Sequence, residues 1–97
     1  MRTKENQGKH DRAVAYWTQH LVEQGWQRVF ADLPGKAKPP QIGDFIPDVY
    51  GIHGQQEIVI EVETEDSRNL EHSRLQIVTF NSWNNQSQNR RFLLKMA

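Results

Sequence analysis

Two neighbouring stretches decide the fold of this chain: Ile46-Pro47-Asp48-Val49-Tyr50, and EIVIEVETED at residues 57–66. In the second stretch apolar and acidic residues begin to alternate, which is the period-two pattern of a β-strand. One face of this strand is apolar and is formed by Ile58, Ile60 and Val62. The other face carries two carboxylates and is formed by Val59, Glu61 and Glu63.

Glu61 and Glu63 stand about 7 Å apart at the backbone of such a strand. Each negative charge makes ionisation of the other carboxyl harder. One interpretation is an amphipathic strand whose acids are simply solvated, although Lys, Thr or Gln would solvate that face equally well. The preceding Asp48 favours a second interpretation, in which a metal ion is bound by Asp48, Glu61 and Glu63.

The two stretches predict a β-hairpin over residues 45–52 and 57–64, because the sequence His53-Gly54-Gln55-Gln56 between them is typical of a turn. The turn lies midway between Asp48 and Glu61, so these two residues are expected to face each other across the hairpin. Pro47 has no backbone N–H, which confines its strand to an edge of the sheet or places Pro47 at the strand's first position.

The remaining chain predicts two helices and two further strands. Val14, Trp17 and Leu21 recur at helical spacing, which predicts a helix over residues 10–24 that ends at Gly25. A short strand over 27–31 and a Pro- and Gly-rich loop over 32–40 follow. The residues from 70 to 83 include a segment of strand propensity, but their length favours a helix, and residues 91–96 predict a last strand.

The resulting order, α-β-β-β-α-β, predicts an α/β domain with a mixed central sheet flanked by helices. At 97 residues the chain is expected to form a single domain over residues 1–97, with a flexible polar start at residues 1–9. Twelve basic and 12 acidic residues balance, so bulk charge predicts no nucleic-acid partner. There is no cysteine, which is typical of a cytoplasmic protein, and no apolar run of about 20 residues, so no membrane association is expected.

The Pro47-Asp48 pair, followed after a hairpin by Glu61-Val62-Glu63, resembles the motif of the PD-(D/E)xK nuclease superfamily. That superfamily includes restriction endonucleases, archaeal Holliday-junction resolvases and many small phage or mobile-element nucleases. The resemblance spans most of the chain, because the first helix, the hairpin, the second helix and the last strand follow in the order of that fold. It implies a restriction-endonuclease-like core.

The resemblance also implies roles for individual residues. Asp48 and Glu61 match the residues that bind a divalent metal, usually Mg²⁺, with Mn²⁺ as the other candidate. The third motif position, usually Lys, holds Glu63, which can accept a proton from the attacking water or hold a second metal. Gln76 matches a Gln on the following helix of resolvase-like members, so the implied catalytic residues are Asp48, Glu61, Glu63 and Gln76. The first helix of such nucleases often adds a residue to the site, and the candidates are His10, Asp11 and Glu23.

The function implied is a metal-dependent DNA endonuclease or resolvase-like nuclease that hydrolyses phosphodiester bonds of DNA, including branched DNA. A domain of this size offers little surface to a duplex, so a homodimer with one site for each strand is expected. Phosphate contacts are expected from a rim of basic residues: Lys9, Arg12, Lys36, Lys38, Arg74 and Arg90. Two alternatives remain open, namely an inactive nuclease-like scaffold that binds protein or nucleic acid, and one subunit of a larger enzyme.

Overall fold

Helices and strands follow one another in the predicted order α-β-β-β-α-β. The structure, a computed structural model, describes residues 2–97. Its elements are α1 (Lys4–Glu23), β1 (Arg28–Ala31), β2 (Val49–His53), β3 (Gln56–Glu63), α2 (Glu71–Asn85) and β4 (Arg90–Met96). The α/β class and the mixed sheet are therefore confirmed.

The four strands form one sheet in the order β1-β2-β3-β4. β1 pairs antiparallel with β2, and β2 pairs antiparallel with β3, which confirms the predicted hairpin. β4 pairs parallel with β3, because α2 carries the chain back across the sheet between them. β3 is the longest strand, and it pairs with β2 on one side and with β4 on the other.

Both faces of the sheet are covered, and the side chains of β3 alternate between them. Ile58, Ile60 and Val62 pack with Val14 and Leu21 of α1 in one buried cluster. On the opposite face, Phe80 and Trp83 of α2 pack against Val59. Glu61 and Glu63 lie on the same face of β3 as Val59, because they follow it at intervals of two residues. The predicted division of β3 into two faces is therefore confirmed. The interpretation of a solvated acidic face is wrong, since Glu61 is 3% and Glu63 1% exposed.

Helix α1 begins at Lys4 rather than at His10, so residues 4–9 form its first turns. Thr3 caps the helix, because its hydroxyl accepts a hydrogen bond from Asn6 N at 3.1 Å. Thr3 also contacts a residue that is distant in sequence, because its backbone N donates to Asp66 Oδ2 at 2.9 Å. A flexible start is expected over residues 1–9, and of these Met1 lies outside the residues that the structure describes.

The strand that contains the first stretch begins at Val49, so Pro47 and Asp48 precede it. The expected edge position is wrong, because β2 lies between β1 and β3. Pro47 is tolerated there since no ladder hydrogen bond is required of it outside the strand. The strand alternative for the residues after Leu70 is also wrong, because α2 extends from Glu71 to Asn85. Within residues 2–97, neither helix combines the length and the apolar composition that a membrane span requires.

Candidate active site

Asp48 and Glu61 face each other across the hairpin, as predicted from the position of the turn. The register pairs Val49 with Ile60, which places Asp48 opposite Glu61. Asp48 N donates to Glu61 Oε1 at 3.0 Å, and Val62 N donates to Asp48 Oδ2 at 2.8 Å. Each carboxylate is therefore held by a backbone amide of the other residue's segment.

Both carboxyl groups are buried, with Asp48 8% and Glu61 3% exposed. Burial, and then the charge of Asp48, raise the pKa of Glu61 to about 9, and the charge of Glu63 acts in the same direction. Within residues 2–97, no Lys or Arg nitrogen lies within 4.0 Å of either carboxylate. Without a bound cation the raised pKa keeps Glu61 protonated at neutral pH, and the protein's own ammonium and guanidinium groups do not contact the pair directly.

His10 of α1 is the basic side chain that does contact this pair. Its Nε2 lies 3.2 Å from Asp48 Oδ2, and its Nδ1 lies 3.1 Å from Asp11 Oδ1. Burial of the ring opposes protonation, but the hydrogen bond and the charge of Asp48, with the bond to Asp11, outweigh it and raise the pKa of His10. A ring with acceptors on both nitrogens is fixed in orientation, so His10 orients the carboxylate of Asp48.

Asp48 Oδ1 and Glu61 Oε2 accept no hydrogen bond from a nitrogen or hydroxyl group of the described residues. The two side chains are close enough to share a hydrogen bond with each other when Glu61 is protonated. Asp48 and Glu61 both line one cavity.

That cavity has a volume of about 350 Å³ and lies where α1, the β2–β3 hairpin and the start of α2 meet. Predicted site residues from three elements line it together, namely His10, Asp11, Asp48, Glu61 and Gln76. Gln76, a half-buried residue of α2, thus shares the cavity with the carboxylate pair. The remaining lining residues are Arg2, Gln7, Asp32, Ile46, Ser67, Leu70, His72 and Ser73.

Glu63, in contrast, does not line this cavity. Its Oε2 accepts a hydrogen bond from Ser67 Oγ at 2.6 Å, and the turn that follows β3 covers it. Ser67 is itself fixed, because it accepts a bond from Thr64 N at 3.1 Å. The structure therefore brings Asp48, Glu61 and Gln76 together but turns Glu63 toward Ser67.

The predicted basic rim is dispersed. Lys38 does not line the cavity, but it forms an ion pair with Asp32, which does. Four others are exposed but do not line the cavity: Lys9, Arg12, Lys36 and Arg74. Arg90 lies outside the rim because it bonds Glu57, near the opposite end of β3. Glu23, at the far end of α1, also does not reach the cavity.

Sequence reasoning missed two residues of the site, Arg2 and Ser67. Arg2 Nε donates to Thr64 Oγ1 at 3.1 Å, and Arg2 Nη2 donates to Val62 O at 3.3 Å. The residues in these two contacts are separated by 62 and 60 positions along the chain, and no local sequence pattern predicts such contacts. For the start of α1 a signal exists, since Thr3 is a residue type that commonly caps helices.

No protein-family model matches this chain, and searches of curated proteins and of solved structures find no significantly similar protein. The functional reading therefore depends on the residues and their geometry.

Proposed function

We propose that this protein is a metal-dependent DNA endonuclease or resolvase-like nuclease that hydrolyses phosphodiester bonds. The observation that carries the proposal is the Asp48–Glu61 pair, in which two buried carboxylates are fixed across a hairpin and open onto one cavity. Burying two like charges together is costly, and this cost keeps Glu61 protonated when no cation is bound. A divalent cation bound at this point would replace that proton and give the pair a chemical role.

The donor atoms fit a hard divalent ion such as Mg²⁺ or Mn²⁺. Mg²⁺ is commonly held by one or two protein carboxylates, with water filling its other positions. Among residues 2–97, no three His, Cys, Asp or Glu side chains form a ready ligand set, so the proposal rests on two protein ligands. Asp48 and Glu61 would hold the ion, which when bound supplies Lewis-acid polarisation of a phosphoryl oxygen and lowers the pKa of a water.

The other cavity residues have roles that follow from their atoms. His10 holds the Asp48 carboxylate in one orientation through the contact at 3.2 Å. The Gln76 amide has both a donor and an acceptor, so it can position the attacking water against the phosphate. Glu63 acts through its charge, which raises the pKa of Glu61, while Ser67 holds its carboxylate apart from the cavity.

The DNA partner requires basic contacts around this acidic cavity, since carboxylates repel phosphate. These contacts are proposed to come from Lys38, which pairs with the cavity residue Asp32, and from the exposed residues Lys9, Arg12, Lys36 and Arg74. A homodimer is proposed as the form that cuts both strands, with one cavity for each strand. Sedimentation in the presence and absence of a DNA duplex tests this assembly.

Cleavage assays test the proposed activity directly. Single-stranded, duplex and branched DNA are incubated with excess protein and Mg²⁺, Mn²⁺ or a chelator. Asp48→Asn and Glu61→Gln should abolish cleavage, whereas Glu65→Gln, at an exposed acid just beyond β3, should not. Folded protein that cleaves none of these substrates with either metal, and binds neither metal in calorimetric titration, would overturn the proposal.

A second candidate function, an inactive scaffold that binds protein or nucleic acid, is favoured by one observation. The position that holds Lys in the resembled motif is Glu63, and its carboxylate is sequestered by Ser67 at 2.6 Å. This candidate predicts DNA or protein binding that is unaffected by Mg²⁺ at millimolar concentration. Metal titration therefore separates the two functions before any substrate is known.

A further inference from the structure

Arg2 is the one Lys or Arg side chain, among residues 2–97, that lines the cavity of Asp48 and Glu61. Both of its hydrogen-bond partners are neutral, namely the Thr64 hydroxyl and the Val62 carbonyl. No carboxylate of the described chain lies within 4.0 Å of its guanidinium. The group is thus held in place while its positive charge remains available to a ligand.

The anchor points fix Arg2 close to the carboxylate pair. Val62, whose carbonyl accepts from Arg2, lies between Glu61 and Glu63 on β3. The amide of the same residue donates to Asp48 at 2.8 Å. Arg2 and Asp48 are therefore bound to the carbonyl and amide groups of one residue. The charge of Arg2 also opposes protonation of His10, as expected for a nearby cation, while Asp48 and Asp11 raise the pKa of that ring overall.

A network of hydrogen bonds positions the segment that carries Arg2. Thr64 Oγ1, which accepts from Arg2, donates to Asp66 Oδ1 at 2.6 Å. The second oxygen of Asp66 accepts from Thr3 N at 2.9 Å. The segment that carries Arg2 is thus bound to the turn after β3 through the Thr3 amide as well, so the guanidinium does not depend on its own two bonds alone.

We propose that Arg2 binds the phosphate of the DNA substrate at this cavity and supplies the positive charge that Glu63 does not. The inference rests on the proposed nuclease function. A guanidinium has five N–H donors in a planar fork, of which Thr64 and Val62 use two. The remaining donors suit two oxygens of one phosphate group. Arg2 is therefore a residue that contacts substrate, and the turn at residues 64–66 is its positioning element.

The expected effects separate this role from a structural one. Arg2→Ala should lower kcat for DNA cleavage about 100-fold, which is typical for loss of one group that stabilises developing charge. Arg2→Lys keeps the charge but loses the fork, and should restore part of the rate. DNA binding is measured in Ca²⁺, so that no turnover occurs. Under these conditions Arg2→Ala should lower the magnitude of the slope of log affinity against log salt concentration by about one, as for loss of one phosphate contact.

The matched control is Arg28→Ala, which removes an exposed Arg that lies over the Phe30 ring and outside the cavity. Each variant is measured for cleavage, for the salt slope of duplex binding and for its thermal midpoint. Loss of rate and slope at an unchanged midpoint, with partial rescue of Arg2→Ala by added guanidinium, supports the proposal. If Arg2→Ala lowers the midpoint, the same comparison is made with Arg2→Gln, which keeps a hydrogen-bond donor without the charge, and a rate and salt slope equal to the wild type's would overturn phosphate binding by Arg2.

The outcomes for Arg2 and for the nuclease function are distinguishable. If the wild type cleaves DNA and Arg2→Ala cleaves it equally well with the same salt slope, the role of Arg2 is overturned and the nuclease function stands. If the wild type binds DNA but neither cleaves it nor binds metal, the nuclease function is overturned. In that case an unchanged salt slope of DNA binding in Arg2→Ala would separately overturn the phosphate contact.

Discussion

Asp48 donates its backbone N–H to Glu61 Oε1 at 3.0 Å, so a residue that precedes β2 fixes a carboxylate near the end of β3. Pro47 and the start of the strand make this possible, because Asp48 lies just outside the β2 ladder. The amide is therefore free to bind a side chain. The site is thus built into the hairpin rather than added to its surface.

Glu61→Gln is expected to stabilise the metal-free protein while abolishing metal binding. The pKa of Glu61 in the folded state is raised above its ordinary value of 4.5. The stability that protonated Glu61 contributes is therefore fully present below pH 4.5 and is lost as pH rises through the folded-state pKa. Gln keeps the Oε1 acceptor without the charge. At pH 8, which lies well above the ordinary pKa of Glu61 and below its folded pKa, the variant should have a thermal midpoint higher than the wild type's by at least about 4 °C, the shift that about 1 kcal/mol gives in a domain of this size.

Thermal unfolding at pH 4 and pH 8 measures this effect. The gain from Glu61→Gln should be near zero at pH 4 and clearly positive at pH 8. Glu65→Gln, at an exposed position, serves as the control and should show no such difference. A Glu61→Gln variant that unfolds earlier than the wild type at pH 8 would contradict the account of the buried pair.

Added Mg²⁺ or Mn²⁺ is expected to raise the thermal midpoint of the wild type. A ligand that binds only the folded state at about 100 times its Kd stabilises by about 2.7 kcal/mol. Asp48→Asn removes one carboxylate but keeps the backbone bond to Glu61, so it should fold and lose the metal effect. Scanning fluorimetry over a metal titration, reversed by a chelator, measures both proteins. An equal shift in the variant would place the metal elsewhere.

Asp66 is expected to contribute stability that disappears in acid. The Thr64 hydroxyl, and then the Thr3 amide, lower the pKa of Asp66 from 3.8 to about 2. Because the folded pKa is the lower one, the contribution is present above pH 3.8 and is lost as pH falls through 2. Urea unfolding of the wild type and Asp66→Asn should differ at pH 6 and converge near pH 2. A difference that persists at pH 2 would show that the hydrogen-bond geometry, and not the charge, is responsible.

Ser67→Ala is expected to destabilise the fold through Glu63. The substitution removes the donor at 2.6 Å and leaves a carboxylate that is 1% exposed without that bond. The cost of leaving such a group unsatisfied is about 1–3 kcal/mol. Ser82→Ala, at an exposed position of α2, is the matched control. Equal urea midpoints for the two variants would show that Ser67 does not stabilise Glu63.

The sequence predicts the hairpin and the Asp48–Glu61 pair because both depend on local rules. Alternation fixes which side chains of β3 share a face, and the turn residues fix the register. Alternation does not say how deeply a residue is buried, so it placed Glu63 beside Glu61 without showing that Ser67 covers it. Arg2 was missed because its partners are defined by the folded chain and not by its neighbours in sequence.

The register of the hairpin also has a consequence for the order of folding. Asp48 and Glu61 are 13 residues apart, whereas Arg2 reaches Val62 across 60 residues. Closing a short loop costs less entropy, and local contacts form sooner. The two carboxylates are therefore expected to meet before the guanidinium arrives, and their repulsion then opposes hairpin closure. Mg²⁺ in the refolding buffer should speed stopped-flow refolding of the wild type and leave the refolding rate of Glu61→Gln unchanged.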